Sequence, residues 1–144
     1  MAEFHYYYPM QVRYGDLDPQ WHVNNAHYLT FFEQARLAYL EHLGLFDGKS
    51  FFDLRSIIAD VHVAYLAPIE YQQKIKIGVR VARLGNKSLV MECQIEDEES
   101  GKLVANSEFV IVTFDYHSQK SVPIPDNWRS IISEFEGIPA GPVQ

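Results

Sequence analysis

From Ala26 to Leu43 the chain contains neither glycine nor proline, and Gly44 stands where a left-handed helix cap belongs. The stretch predicts one long helix of about 27 Å at 1.5 Å per residue. Tyr28, Phe31, Phe32, Ala35, Ala38, Tyr39 and Leu43 recur at helical spacing, and Leu29, Leu37 and Leu40 widen the apolar arc beyond a narrow stripe. A helix of this kind is unfavourable in water and is expected to be wrapped by other structure.

The remainder of the chain supplies the wrapping. Aromatic Tyr6, Tyr7 and Tyr8, with Val12 and Tyr14, predict a first strand running up to Gly15, with Pro9 marking an edge or bulge. Four further strand-like runs follow the helix: Ser56 to Leu66, Gln73 to Leu84, Ser88 to Asp97 and Leu103 to His117. In the second, Ile75, Ile77, Val79 and Val81 alternate with Lys74, Lys76, Gly78 and Arg80, the period of a sheet with one wet face. Gly85-Asn86 and Ser100-Gly101 are turn chemistry, so the last three runs are expected to form an antiparallel meander. Asp126 is placed to cap a short helix carrying Trp128, Ile131, Ile132 and Phe135, and the tail from Gly137 reads as loose. The fold class is α+β: one antiparallel sheet of about five strands curled around a long central helix, with a short C-terminal helix. With no repeat, linker or low-complexity tract, residues 1–144 read as a single domain.

Charge and cysteine content narrow the function classes. Twelve basic residues against nineteen acidic ones, with a net charge of −7, argue against a nucleic-acid groove. No apolar run approaches the roughly 18 residues that span a bilayer, and MAEFHYYYPMQ lacks the basic start and apolar middle of a secretory signal. A lone Cys93 excludes an internal disulfide. Cytoplasmic residence is the expectation.

Just upstream of the helix lies GDLDPQWHVNNAHY, with Asp16, Asp18 and His22 as titratable groups. Asn24 and Asn25 supply side chains suited to a helix start, where unpaired N–H groups and the macrodipole favour negative charge. A carboxylate beside such a terminus can attack a carbonyl while backbone amides polarise it. This is the logic of acyl transfer.

The stretch VRYGDLDPQWHVNNAHYLTFFEQAR and the order of elements, from about Tyr7 to Phe135, resemble the hotdog-fold acyl-CoA thioesterases of the 4-hydroxybenzoyl-CoA thioesterase type. The resemblance implies that Asp18, in the D-x-D-P-like segment, is the catalytic carboxylate. It also implies that a backbone N–H on or beside Asn25 holds the thioester carbonyl. DLDPQWHVNN is similar as well to the D-x-N-x-H-V-N-N segment of plant acyl-carrier-protein thioesterases, where Asp18 and His22 match catalytic positions and Gln20 replaces an Asn. An acyl-CoA substrate, with acyl carrier protein as an alternative thiol carrier, follows from the resemblance. No metal or organic cofactor is needed, because a thiolate leaves readily. A homodimer or dimer of dimers is expected on two grounds, the resemblance and the open sheet edges.

Each candidate has a plainer role to be weighed. Asp18 could serve only an Asx turn ahead of Pro19. Asp16, two residues away, is assigned to the structure of the turn. His22 either orients water or stabilises an oxyanion, or is a hydrogen-bonded turn residue; with His27 it lacks a third partner for a metal. Glu33 reads as an ion-pair partner of Arg36 or of a strand residue, and becomes a rival catalytic carboxylate if it faces the cleft. Tyr28, Phe31 and Phe32 either line an acyl pocket or pack the core. Cys93 is a core residue, and no G-x-S-x-G elbow surrounds Ser107. Arg83, Lys87 and Ser88 sit in a polar turn that can be an ordinary hairpin loop or can hold the phosphates of coenzyme A. Two rival functions share the fold: an enoyl-CoA hydratase, whose Asp-to-His spacing this chain does not reproduce, and a non-catalytic acyl-CoA sensor.

Overall fold

The structure is a computed structural model and describes residues 3–142. Its elements run β1 (Tyr7–Gln11), α1 (Asn25–His42), β2 (Ser56–Tyr65), β3 (Lys74–Leu84), β4 (Ser88–Asp97), β5 (Leu103–Asp115), β6 (Lys120–Ser121) and α2 (Asp126–Glu136). Short 3₁₀ turns occupy Tyr14–Asp16 and Phe51–Asp53. The sheet is antiparallel throughout with order β1-β3-β4-β5-β2, and β6 pairs the end of β5. This is the hotdog arrangement, with α1 packed on the inward face of the sheet.

The alternation in β3 and β4 does what its period dictates. Ile75, Ile77, Val79, Val81, Met91, Cys93 and Ile95 are buried, and the residues between them face outward. They meet Phe31, Phe32, Ala35 and Tyr39 of α1, all nearly inaccessible to solvent. Phe32 lies edge-on to Phe109 at 5.8 Å, and Tyr39 meets both Tyr6 and Phe135 edge-on.

Several expectations are refined. β1 ends at Gln11 because the chain then turns through Tyr14–Asp16, although Val12 N–H still donates to the Gln73 carbonyl. Pro9 lies on an edge strand, where its missing donor costs nothing. The apolar arc of α1 is narrower than its composition suggests: Leu29 is exposed, and burial follows Tyr28, Phe31, Phe32, Ala35, Tyr39 and Leu40. Asp126 does not cap α2. Pro125 holds the cap position without a side-chain bond, and Asp126 contributes only its charge to the first turn. The tail is tied down rather than loose, since Arg129 donates to the Ala140 carbonyl at 2.5 Å and Ile138 N–H to the Ser133 carbonyl. The same expectation for residues 143–144 lies outside the described residues.

The pairing of β2 with β5 leaves β2 at one edge. Ile57, Ile58, Val61 and Tyr65 on it are all more than two-fifths exposed, an unusual load of apolar surface for an uncovered strand.

Candidate active site

Asp18 opens a tight reversal. Its N–H donates to the His22 carbonyl at 3.0 Å, Trp21 N–H donates back to the Asp18 carbonyl, and Leu17 bridges Val23. Trp21 adopts φ +65° at the point where a three-residue hairpin loop needs a left-handed residue. A bulky side chain holds this conformation only at a cost, and such strain gathers at functional turns. His22 then bridges Glu70, and Val23 N–H donates to the Ile69 carbonyl. The turn is therefore clamped where the chain enters α1.

The Asx turn expected at Asp18 forms, and it engages one of the two carboxylate oxygens. Its Oδ1 accepts from Gln20 N–H at 2.9 Å, which is the Asx turn. Its Oδ2 has no hydrogen-bond partner among the described residues, and the side chain is half-buried beside a shallow depression of about 360 Å³ lined by Tyr14, Gly15, Leu17, Pro19 and Trp21. The His22 imidazole is likewise half-buried and makes no side-chain hydrogen bond to Asp18.

Asp16 is the structural carboxylate. It is buried, and accepts from Arg13 N–H at 2.8 Å, from the Arg13 guanidinium at 3.1 Å and from His27 Nδ1 at 3.3 Å. Burial alone would raise its pKa, but the hydrogen bonds and charge of Arg13, with His27, hold it below the ordinary carboxylate value.

At the start of α1, Asn24 is the cap, its Oδ1 accepting from Ala26 N–H at 2.9 Å while its carbonyl takes His27 N–H. Of the first three helical amides, that of Asn25 alone lacks an acceptor among the described residues. It carries the partial positive charge of the helix end and is free to receive an oxyanion. Tyr65 donates to the Asn25 carbonyl at 3.2 Å and braces this turn from β2.

The other candidates are placed differently. Tyr28 is buried, packed edge-on against Tyr65 at 4.8 Å with its hydroxyl 3.4 Å from the Ala67 carbonyl. Arg83, Lys87 and Ser88 occupy the β3–β4 hairpin, at the Ser56 end of the sheet, whereas Asp18 and Asn25 lie at the Tyr65 end. About ten residues of β3 separate the two ends, roughly 33 Å. Within one chain the structure does not bring them together. Glu33 forms no ion pair with Arg36 or with a strand residue among the described residues; it is exposed and lines a cavity. Cys93 is buried, and burial pushes its thiol up to about 12. Among the described residues no three His, Cys, Asp or Glu side chains converge as a metal site.

Sequence reasoning missed an apolar cavity of about 460 Å³ between α1, the sheet and α2, walled by Leu37, Leu40, Met91, Ile111, Trp128 and Ile132. It also missed the setting of Arg36. An arginine four residues after Phe32 and four before Leu40, inside the apolar arc, was the available signal.

Comparison with known proteins agrees with this fold. A family model described as the thioesterase-like superfamily matches residues 12–132. The chain is 27% identical over 126 residues to the long-chain acyl-CoA thioesterase FadM of Escherichia coli, covering 88% of this chain and 96% of that one. It is 28% identical over 131 residues to the acyl-CoA thioester hydrolase YbgC, also of Escherichia coli, covering 90% and 94%. Among solved structures, a Thermus thermophilus thioesterase complexed with coenzyme A and Zn superposes with a TM-score of 0.83 at 32% identity, covering 96% of this chain and all of that one.

Proposed function

The chain belongs to the thioesterase-like superfamily, and from that premise we propose that it hydrolyses an acyl-CoA to a free acid and a thiol, with Asp18 as the reacting carboxylate. The observation that carries this reading is the pairing of an Asp18 oxygen without a partner with an Asn25 amide without one, on two ends of the same clamped turn. In the simpler route Asp18 takes a proton from water, and the oxygen adds to the thioester carbon. The carbonyl oxygen becomes an oxyanion held by the Asn25 N–H. Collapse breaks the C–S bond, and the thiolate takes up a proton. In the alternative route Asp18 itself adds, the thiolate leaves, and water opens the resulting anhydride. In this proposal His22 orients water in either route.

A panel of acyl-CoAs, with acyl carrier protein thioesters beside them, tests the activity through thiol release. Asp18→Asn should lower kcat by about 10²–10⁴-fold with the fold intact by circular dichroism. Near-normal turnover by that variant would remove Asp18 from the chemistry. Under single turnover in ¹⁸O-water, label in the Asp18 carboxylate identifies the anhydride route.

The working unit is proposed to be a homodimer, or a pair of dimers, joined through β2. Two β2 edges paired antiparallel about a two-fold axis place the Tyr65 end of one protomer beside the Ser56 end of the other. The partner's β3–β4 hairpin then approaches the Asp18 turn from across the seam. Arg83, Lys87 and Ser88 can in that arrangement hold the coenzyme's phosphates across the subunit boundary, which no single chain allows. No helix among the described residues is long and apolar enough to cross a membrane, and we place the enzyme in the cytoplasm.

A further inference from the structure

The apolar cavity has a buried cation in its wall. Arg36 is only 8% exposed and lies among its lining residues, with the guanidinium carbon 4.2 Å above the Phe109 ring. No hydrogen bond or ion pair satisfies the guanidinium among the described residues, and Nη1 is fully buried without a partner. Stacking on Phe109 compensates the charge on one face of the fork, yet the enclosed Nη1 donors remain without an acceptor. A buried cation left in that state is costly, and the site would be more stable as Met or Leu unless something supplies an acceptor. The nearest alternative, Glu33, stands one turn away at the cavity wall and is exposed rather than paired.

The cavity is also aligned with the proposed chemistry. Asn25, Leu29, Glu33, Arg36 and Leu40 succeed one another at three- and four-residue intervals, so they share one face of α1. Leu29 is exposed on that face, between the Asn25 amide and the cavity wall at Glu33. A chain whose carbonyl rests on Asn25 can run along this face into the cavity, reaching the level of Arg36 after about 16 Å of helix. We propose that the cavity takes the acyl chain of the substrate, and that Arg36 selects chains carrying a hydrogen-bond-accepting oxygen, a hydroxyl, oxo or carboxylate group remote from the thioester, over plain alkyl chains. This rests on the thioesterase reading and adds to it the class of acyl group.

The test compares decanoyl- and dodecanoyl-CoA with their ω-hydroxy and ω-carboxy counterparts, in the wild type and in Arg36→Met, which keeps an unbranched side chain and removes the donors. The wild type should show KM values about tenfold or more lower for at least one oxygenated series, since a hydrogen bond to a charged group has that worth. Arg36→Met should lose this preference, read as the ratio of kcat/KM between the oxygenated and plain series. A wild type that favours plain chains equally, or an Arg36→Met variant that retains the preference, would overturn the inference and leave the hydrolase reading standing. A second measurement needs no turnover. In a Trp21→Phe background Trp128, which lines the cavity, is the only tryptophan, and its fluorescence reports binding of decane, 1-decanol and decanoate. Tighter binding of the two oxygenated ligands, abolished by Arg36→Met and partly kept by Arg36→Lys, supports the role of the fork. Equal binding of all three sinks it, even if no thioester is hydrolysed.

Discussion

Asp16 and Asp18 are two residues apart, and their surroundings divide the work between them. Asp16 is buried and its oxygens are taken by Arg13 and His27, whereas Asp18 keeps one oxygen free at the surface of the turn. The structural role of Asp16 agrees with the sequence reading, but Asp16 ends a 3₁₀ turn instead of an extended segment, and its contact with His27 was not legible because His27 comes to it from across the turn. Asp16→Asn should destabilise the fold by on the order of 2 kcal/mol near neutrality, as expected for a buried charged acceptor that loses its strong bonds. Because the folded-state pKa of Asp16 is depressed, its stabilisation is complete above the ordinary carboxylate value of about 4 and fades as pH falls through the lower folded value. Urea unfolding of the two proteins should show a gap near neutral pH that closes in acid. A gap that widens in acid would contradict the assignment.

At the scale of elements, α2 is held to the sheet by a polar contact that no periodicity announces. Glu136, in the last turn of α2, accepts from the Tyr39 hydroxyl at 2.6 Å and from the Val81 N–H at 2.9 Å, next to the bulge between Val81 and Arg83. The bulge interrupts the β3–β4 ladder, and the carboxylate takes the amide nearby. Burial, with the Glu136 carboxylate beside it, raises the Tyr39 phenol well above its usual range, so it stays a donor at all working pH values. Glu136→Ala strands both donors and should cost about 2 kcal/mol, read as roughly 4 °C of Tm for each kcal/mol. Thermal melts followed at two wavelengths would register it. An unchanged Tm would mean that α2 is held by Trp128 and Ile132 packing alone.

Over the whole molecule, the exposed apolar strand β2 is the feature that a lone chain leaves unresolved. Four large apolar residues on an edge with unpaired backbone groups invite a second copy. The same strand donates Tyr65 to the Asn25 carbonyl, so whatever orders β2 also braces the helix end proposed to receive the oxyanion. Val61→Lys puts a charge on this edge and should convert a particle of twice 16.7 kDa into one of 16.7 kDa by light scattering, with loss of activity through the missing partner hairpin. A wild type already at the monomer mass would remove the shared phosphate site along with the dimer.

The sequence by itself determined the elements and the Asp18 turn, because these depend on short-range causes: side-chain period, turn residues, a cap at Asn24 and a glycine at position 44. The four long strands after the helix agree within about two residues at each boundary on that basis alone, whereas the two-residue β6 was not foreseen. Tertiary structure decided which strand closes the sheet, and so which edge is left open. It also decided that Glu33 and Arg36 line a cavity instead of pairing, and that Arg83, Lys87 and Ser88 stand at the far end of the sheet from Asp18. Each of these depends on contacts between residues far apart in the chain, where local pattern carries no information about who the neighbour is.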